Sequence, residues 1–327
     1  MMNKYIPANR IEFAVTYLCN SRCRHCQLGE TEQRNRFPKH VDKDLAVEIV
    51  RKVGREYQPE SVMTFGGEPL LYPEIVYAIH REAKKVGIPV RDVITNGFWS
   101  RKTEEIQRIA RSLVESGVNE VAFSVDGFHQ EFVPLKIVRK TAKSLLEAGM
   151  PDVHWNPCWL VSKDHDNRFN RHTRAVLEKL MDLPLKVGEG NTVQPEGRAV
   201  VWLKDFLPSK TRMPMGECGE MPYTERLDSV GTVYVEPDGR ISVCKELYIG
   251  NAFETDIIDI IENYDPSRIP EAKALVENGI RGLVEWARRK GVSLSSEGYY
   301  SVCDMCVDIR RRVGRFYEGS YENLACF

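Results

Sequence analysis

Short apolar runs alternate with amphipathic stretches through the first part of this chain, and the early runs end on polar or glycine-bearing motifs. The runs cover 11–18, 61–65, 90–94, 119–123 and 153–161, with a sixth over 185–193. Between them, 42–57, 73–86, 103–116, 133–148 and 171–181 read as helices. Leu45, Ala46, Ile49, Val50 and Val53 show the helical spacing most plainly. Val41-Asp42 offers a start for the first helix, and Pro134 is expected in the first turn of the fourth. Strands separated by helices predict parallel pairing with right-handed crossovers. In such barrels chemistry gathers at the C-terminal strand ends. The expected fold class is α/β, a partial (β/α)6 barrel of TIM type over residues 1–200. A smaller α+β domain containing a hairpin follows over 201–327.

The motifs sit where that fold wants its chemistry. Cys19, Cys23 and Cys26 follow the first run with C-x3-C-x2-C spacing. A loop this short aims three soft ligands at one small object, which suits zinc, copper(I) or an iron–sulfur cluster. A cubane has four irons, so three cysteines leave one iron open to bind something else. The bland reading is a zinc knuckle completed by a distant fourth ligand. The second run enters Gly66-Gly67-Glu68-Pro69. Paired glycines let the chain turn and let a ligand approach the main chain. Such a loop suits an ammonium group held by backbone carbonyls with a carboxylate nearby, although an isolated copy is only a turn. Short hydrogen-bonding side chains, Thr95, Asn96, Ser124 and Asp126, end the next two runs. Asn96 and Asp126 each precede a glycine and are equally turn formers. A lone loop histidine such as His129 is more often structural than an acid–base group.

The cysteine spacing, the ring-bearing His25 before the last cysteine, and Gly66-Gly67-Glu68-Pro69 one strand later resemble the radical S-adenosylmethionine (SAM) enzymes. The resemblance implies a [4Fe-4S] cluster on Cys19, Cys23 and Cys26 whose open iron chelates SAM. It also implies an electron donor such as a flavodoxin or ferredoxin, and a 5'-deoxyadenosyl radical that abstracts substrate hydrogen. His25, Gly66, Gly67, Glu68, Asn96, Ser124 and Asp126 are the implied cofactor-binding residues.

A second cysteine set follows. Pro195-Glu196-Gly197-Arg198-Ala199 resembles the Pro-x-Gly-Arg-Ala linker of radical SAM enzymes with a C-terminal cluster domain. Glu236-Pro237-Asp238-Gly239 lies between two alternating runs, 229–235 and 240–244, and predicts a hairpin. Cys218, Cys244 at the hairpin's end, and the pair Cys303 and Cys306 offer four ligands, a closed set. The G-x4-C element and late C-x2-C are similar to twitch or SPASM-type domains. The gap from Cys218 to Gly239 is long for that family, and the cysteines of a second auxiliary cluster are missing. One auxiliary [4Fe-4S] cluster is therefore expected, with a four-cysteine zinc site as the competing reading. Helices are expected over 256–264 and 271–289. Arg310, Arg311, Arg312 and Arg315 read as a solvated helix face.

Charge is balanced, 46 basic against 47 acidic side chains, so nothing draws the whole chain to nucleic acid or an anionic membrane. No apolar run reaches membrane-spanning length and the start lacks a leader's apolar core, so a cytoplasmic location is expected. Nine cysteines in that setting point to metal chemistry. The expected activity is hydrogen abstraction from a peptide, leading to epimerisation, dehydrogenation or crosslinking. The alternatives are dehydrogenation of a small polar or sugar-like metabolite, and a non-catalytic zinc-binding interaction protein. Epimerisation needs a second hydrogen donor; Lys245 follows Cys244 where a thiol would serve, which leaves Cys158 as the catalytic candidate. Cys326 reads as incidental.

Overall fold

The computed structural model describes residues 3–30 and 34–316, and side chains as far as residue 314. Cys326 and the Arg315 side chain lie outside the described part. Two compact units emerge, Glu12–Leu207 and a second made of Met1–Ile11 with Pro208–Phe327. No helix among the described residues is long and apolar enough to cross a membrane.

The first unit alternates strand and helix: β1 (Arg10–Thr16), α1 (Lys43–Glu56), β2 (Ser61–Gly66), α2 (Pro73–Lys85), β3 (Val90–Thr95), α3 (Thr103–Ser116), β4 (Glu120–Ser124), α4 (Leu135–Glu147), β5 (Asp152–Asn156). Then come β6 (Cys158–Trp159), α5 (Arg168–Glu178), β7 (Lys186–Val187), β8 (Asn191–Thr192) and the single turn α6 (Ala199–Trp202). The strands run in the order β1-β2-β3-β4-β5-β7, and every step from β2 to β7 is parallel. This is the α/β class expected, with the parallel sheet of a partial barrel.

Local chemistry sets the element ends. The Asp42 side chain accepts from Leu45 N at 2.9 Å and caps α1, whose Ala46, Ile49, Val50 and Val53 are buried. Pro134 is the residue before α4 rather than part of its first turn. The fifth strand breaks in two at Pro157, which has no N–H to give the ladder; β6 pairs instead with β8. The expected sixth strand likewise survives only as the two-residue β7 and β8. Phe13, Phe123 and Trp155 are fully buried in the core, each contributing about 1.5–3 kcal/mol through the area it removes from water. Phe123 meets Trp155 at 5.5 Å between ring centroids.

The second unit holds β9 (Thr232–Val235), β10 (Arg240–Cys244) and β11 (Leu247–Asn251), with β10 antiparallel to both neighbours. Three helices follow, α7 (Ile257–Glu262), α8 (Pro270–Arg289) and α9 (Val302–Phe316), and α8 is kinked at Asn278 and Gly279. The hairpin from β9 to β10 matches the sequence reading. The strand β11 is an addition to it.

Candidate active site and cysteine centres

The motifs at the ends of β1 to β4 are tied to one another by short, directed bonds. Gly67 N donates to Thr16 O at 2.7 Å and Glu68 N to Leu18 O at 2.9 Å, which seats the glycine loop on the chain entering the cysteines. A Cβ on Gly67 would lie 2.0 Å from Leu18 O, so no other residue type fits without moving that backbone. Asn96 Nδ2 donates to Asn20 Oδ1 at 2.8 Å, and Asn20 Nδ2 returns a bond to Phe98 O at 2.6 Å. Arg24 reaches Glu131 at 2.9 Å.

Glu68 is fully buried and both its oxygens are used. Oε1 accepts from the Thr95 hydroxyl at 2.7 Å and Leu70 N at 3.1 Å; Oε2 accepts from Asn96 N at 2.8 Å. Burial still outweighs these donors and lifts the carboxyl to about 7. The carboxylate therefore pins the β3 end to the glycine loop, and a nearby cation would relieve its ionised form.

Each of the three N-terminal sulfurs has a polar neighbour. Asn96 Nδ2 stands 3.8 Å from Cys19 Sγ, Ser21 Oγ is 3.0 Å from Cys23 Sγ, and Arg34 Nη2 donates to Cys26 Sγ at 3.3 Å. Arg34 is buried although it lies in a polar stretch without periodicity, and no local pattern announces it. Burial first, then neighbouring carboxylate and thiolate charge, pushes the Cys19 thiol up to about 12 and the Cys23 thiol higher. The donor set fits an iron–sulfur centre on this count. Three neighbouring thiolates, Cys23 buried and Cys19 and Cys26 half-buried, are unfavourable without a compensating metal charge, and thiolate is the ligand such a centre takes.

Asp126 is fully buried. Oδ1 accepts from Phe128 N and His129 N, each at 2.9 Å; Oδ2 accepts from His129 Nδ1 at 2.8 Å and Cys158 N at 3.0 Å. Burial opposes its charge, but His129 and these bonds win and hold the carboxyl down at about 2. His129 packs edge-on against His25 at 4.8 Å, so the structure brings the loop histidine to the cysteine motif. Burial drives His25 down to about 4, and its Nδ1 has no hydrogen-bond partner. Among the described residues, one set of three metal-type ligand atoms lies within 4.8 Å: Cys23, His25 and His129. Ser124 ends β4 half-buried beside Asn156 in register. Cys158 packs in an apolar cluster with Phe128, Leu160, Phe169 and Val193, and burial raises its thiol.

In the second unit the four cysteines lie near enough for their charges to act on one another. Cys218 and Cys303 are each pushed up to about 12, by burial and then by the charges of the other sulfurs, and Cys244 is raised by burial. Cys303 and Cys306 share a face of α9. The arginine run is not simply a solvated face. Arg310 is buried and donates to Lys245 O at 2.6 Å and Glu246 O at 2.7 Å; Arg311 pairs with Glu246 and Arg312 with Asp308.

The family described as the radical SAM superfamily matches residues 13–172. GTP 3',8-cyclase of Streptomyces coelicolor (strain ATCC BAA-471 / A3(2) / M145) is 27% identical over 184 residues, 50% of this chain and 52% of its own. "Putative peptide biosynthesis protein YydG" of Bacillus subtilis (strain 168) is 24% identical over 192 residues, 57% of this chain and 53% of its own. The chain spans about half the length of these curated relatives. Among solved structures, native anSMEcpe with bound AdoMet aligns at a TM-score of 0.54 and 13% identity, over 97% of this chain and 99% of that one. That is a likeness of fold alone. With the thiolate trio and the glycine loop locked together at the strand ends, the match makes residues 13–172 a radical SAM domain.

Proposed function

We propose that this enzyme cleaves SAM reductively at a [4Fe-4S] cluster on Cys19, Cys23 and Cys26, and that its substrate is a peptide. The observation that carries the first part is the seating of Gly66-Gly67-Glu68 directly on the backbone at Leu18. When bound, the cluster and SAM supply the one-electron step and the hydrogen-abstracting power. The chain's own residues position and insulate. Glu68, tied to Thr95 and Asn96, fixes the glycine loop whose carbonyls suit an ammonium group. Asn96, Ser21 and Arg34 set donors against the sulfurs, and Asp126 holds His129 toward His25. Ser124 is proposed to contact the SAM ribose or carboxylate from the end of β4.

The peptide assignment draws on the name of the Bacillus subtilis relative. The mutual charge effects among the four cysteines of the second unit support an auxiliary cluster there, which would serve as electron acceptor. The packing of Cys158 among aromatic and aliphatic side chains favours dehydrogenation or crosslinking over epimerisation, because it leaves that thiol little room to meet a substrate radical. The test is anaerobic reconstitution followed by iron and sulfide counting, then SAM and reductant with the peptide of a neighbouring reading frame in deuterated solvent. Two loaded centres, 5'-deoxyadenosine release and two-electron oxidised peptide are expected. Zinc alone with no SAM cleavage sinks the reading. Deuterium at an inverted carbon, lost in Cys158→Ala, restores epimerisation.

A further inference from the structure

Pro195-Glu196-Gly197-Arg198-Ala199 reads in sequence as a connector, but Gly197 and Arg198 are seated on the cysteine loop. Arg198 N donates to Cys26 O at 2.8 Å, and Arg198 Nε donates to Cys23 O at 3.2 Å. Cys23 O also accepts from Cys26 N at 3.2 Å, closing the turn from within, so this carbonyl is held by a donor on either side. The remaining face of the guanidinium pairs with Glu30, a few residues beyond the last cysteine, and Glu30 Oε1 accepts from Trp202 Nε1 at 3.2 Å. Gly197 has φ +52, and a Cβ there would lie 2.5 Å from Gln27 O and 2.6 Å from Cys26 O. The Arg198 side chain is 10% exposed.

These bonds point one way. The loop must present three sulfurs at fixed separations, yet it has neither helix nor strand to stiffen it, and its carbonyls need donors once buried. We propose that Gly197-Arg198 is the brace that holds the Cys23–Cys26 turn in its ligating shape, with Arg198 a positioning residue for the N-terminal iron–sulfur centre. Arg198 works through the carbonyls of its neighbours, not on the sulfurs, and Glu30 with Trp202 keeps its guanidinium aimed. The inference rests on the proposed cluster at Cys19, Cys23 and Cys26.

The experiment is iron release to a chelator from the reconstituted full chain, in a Cys244→Ser/Cys306→Ser background so that retained iron belongs to the N-terminal loop. Arg198→Met should release iron at least tenfold faster than its parent, with the thermal midpoint of the metal-free chain unchanged. Arg198→Lys keeps the pairing with Glu30 but loses the Nε donor, and should fall between them. Parent-like release from Arg198→Met overturns the brace, as does faster release that merely follows a fall in the metal-free midpoint. Should Arg198→Met fail to fold, Glu30→Gln decides: at least threefold faster release supports the brace and parent-like release refutes it. A parent chain that loads no iron on this loop sinks the cofactor reading and the brace with it. A parent that loads iron, with variants that hold it equally well, sinks the brace alone.

Discussion

Gly67→Ala isolates the joint on which the site depends. The added methyl would start 2.0 Å from Leu18 O and 2.8 Å from Tyr17 O. A carbon–oxygen contact of this kind settles at about 3.3 Å, so the glycine loop or the chain before Cys19 must retreat by about 1.3 Å. That displacement breaks Gly67 N to Thr16 O and Glu68 N to Leu18 O, worth about 1 kcal/mol each net, and crowding adds about 1–3 kcal/mol. The total is about 3–5 kcal/mol, or a fall of about 10 °C in thermal midpoint for a unit of this size. Glu68 moves with the loop and strains its bonds to Thr95 and Asn96, so SAM affinity should drop by about ten- to a hundredfold. The assay is thermal unfolding of the metal-free chain, with SAM binding to the reconstituted one by calorimetry. Gly87→Ala is the control: φ is +87 there with nothing within 4 Å, so it pays only the cost of left-handed backbone, about 1–2 kcal/mol. A Gly67→Ala chain that melts and binds SAM like its parent would refute the seating of the glycine loop.

Two further outcomes follow from buried carboxylates. Glu68 is raised from 4.5 to about 7, so between those values the folded chain keeps a proton that the unfolded chain has released. Its contribution to stability is therefore fully present below about 4.5 and lost as pH rises to about 7, by at most about 3 kcal/mol. In urea unfolding of the metal-free chain, Glu68→Gln should gain on its parent between pH 5 and pH 8; a flat or opposite difference contradicts the direction. Asp126→Asn turns an amide N–H₂ toward at least one backbone donor among Phe128 N, His129 N and Cys158 N. The expected cost is about 3 kcal/mol in the same assay, and a loss below about 0.5 kcal/mol would show that these bonds are not being held.

What the sequence made legible was periodic or local. Residues 103–116 read as a helix and are one, because their apolar spacing and the glycine that follows decide the matter within the segment. The motif positions at strand ends came from the same periodicity. Positions that depend on a partner far along the chain were misread or passed over. Arg34 and Arg310 look like solvent-facing cations in a polar loop and a basic run, and both are buried as donors to cysteine-bearing loops. The missed strand β11 shows the physical cause most directly. The turn from β10 to β11 is Lys245-Glu246, and two-residue hairpin turns normally announce themselves with glycine or asparagine because they require positive φ. Glu246 takes φ 52 without that help. Arg310, 64 residues later, donates to both turn carbonyls, and Arg311 pairs with the Glu246 carboxylate. The conformation is stabilised from α9, the helix that also carries Cys303 and Cys306. The turn beside Cys244 and the downstream cysteine pair are thus set by one helix, through contacts that no local window of sequence contains.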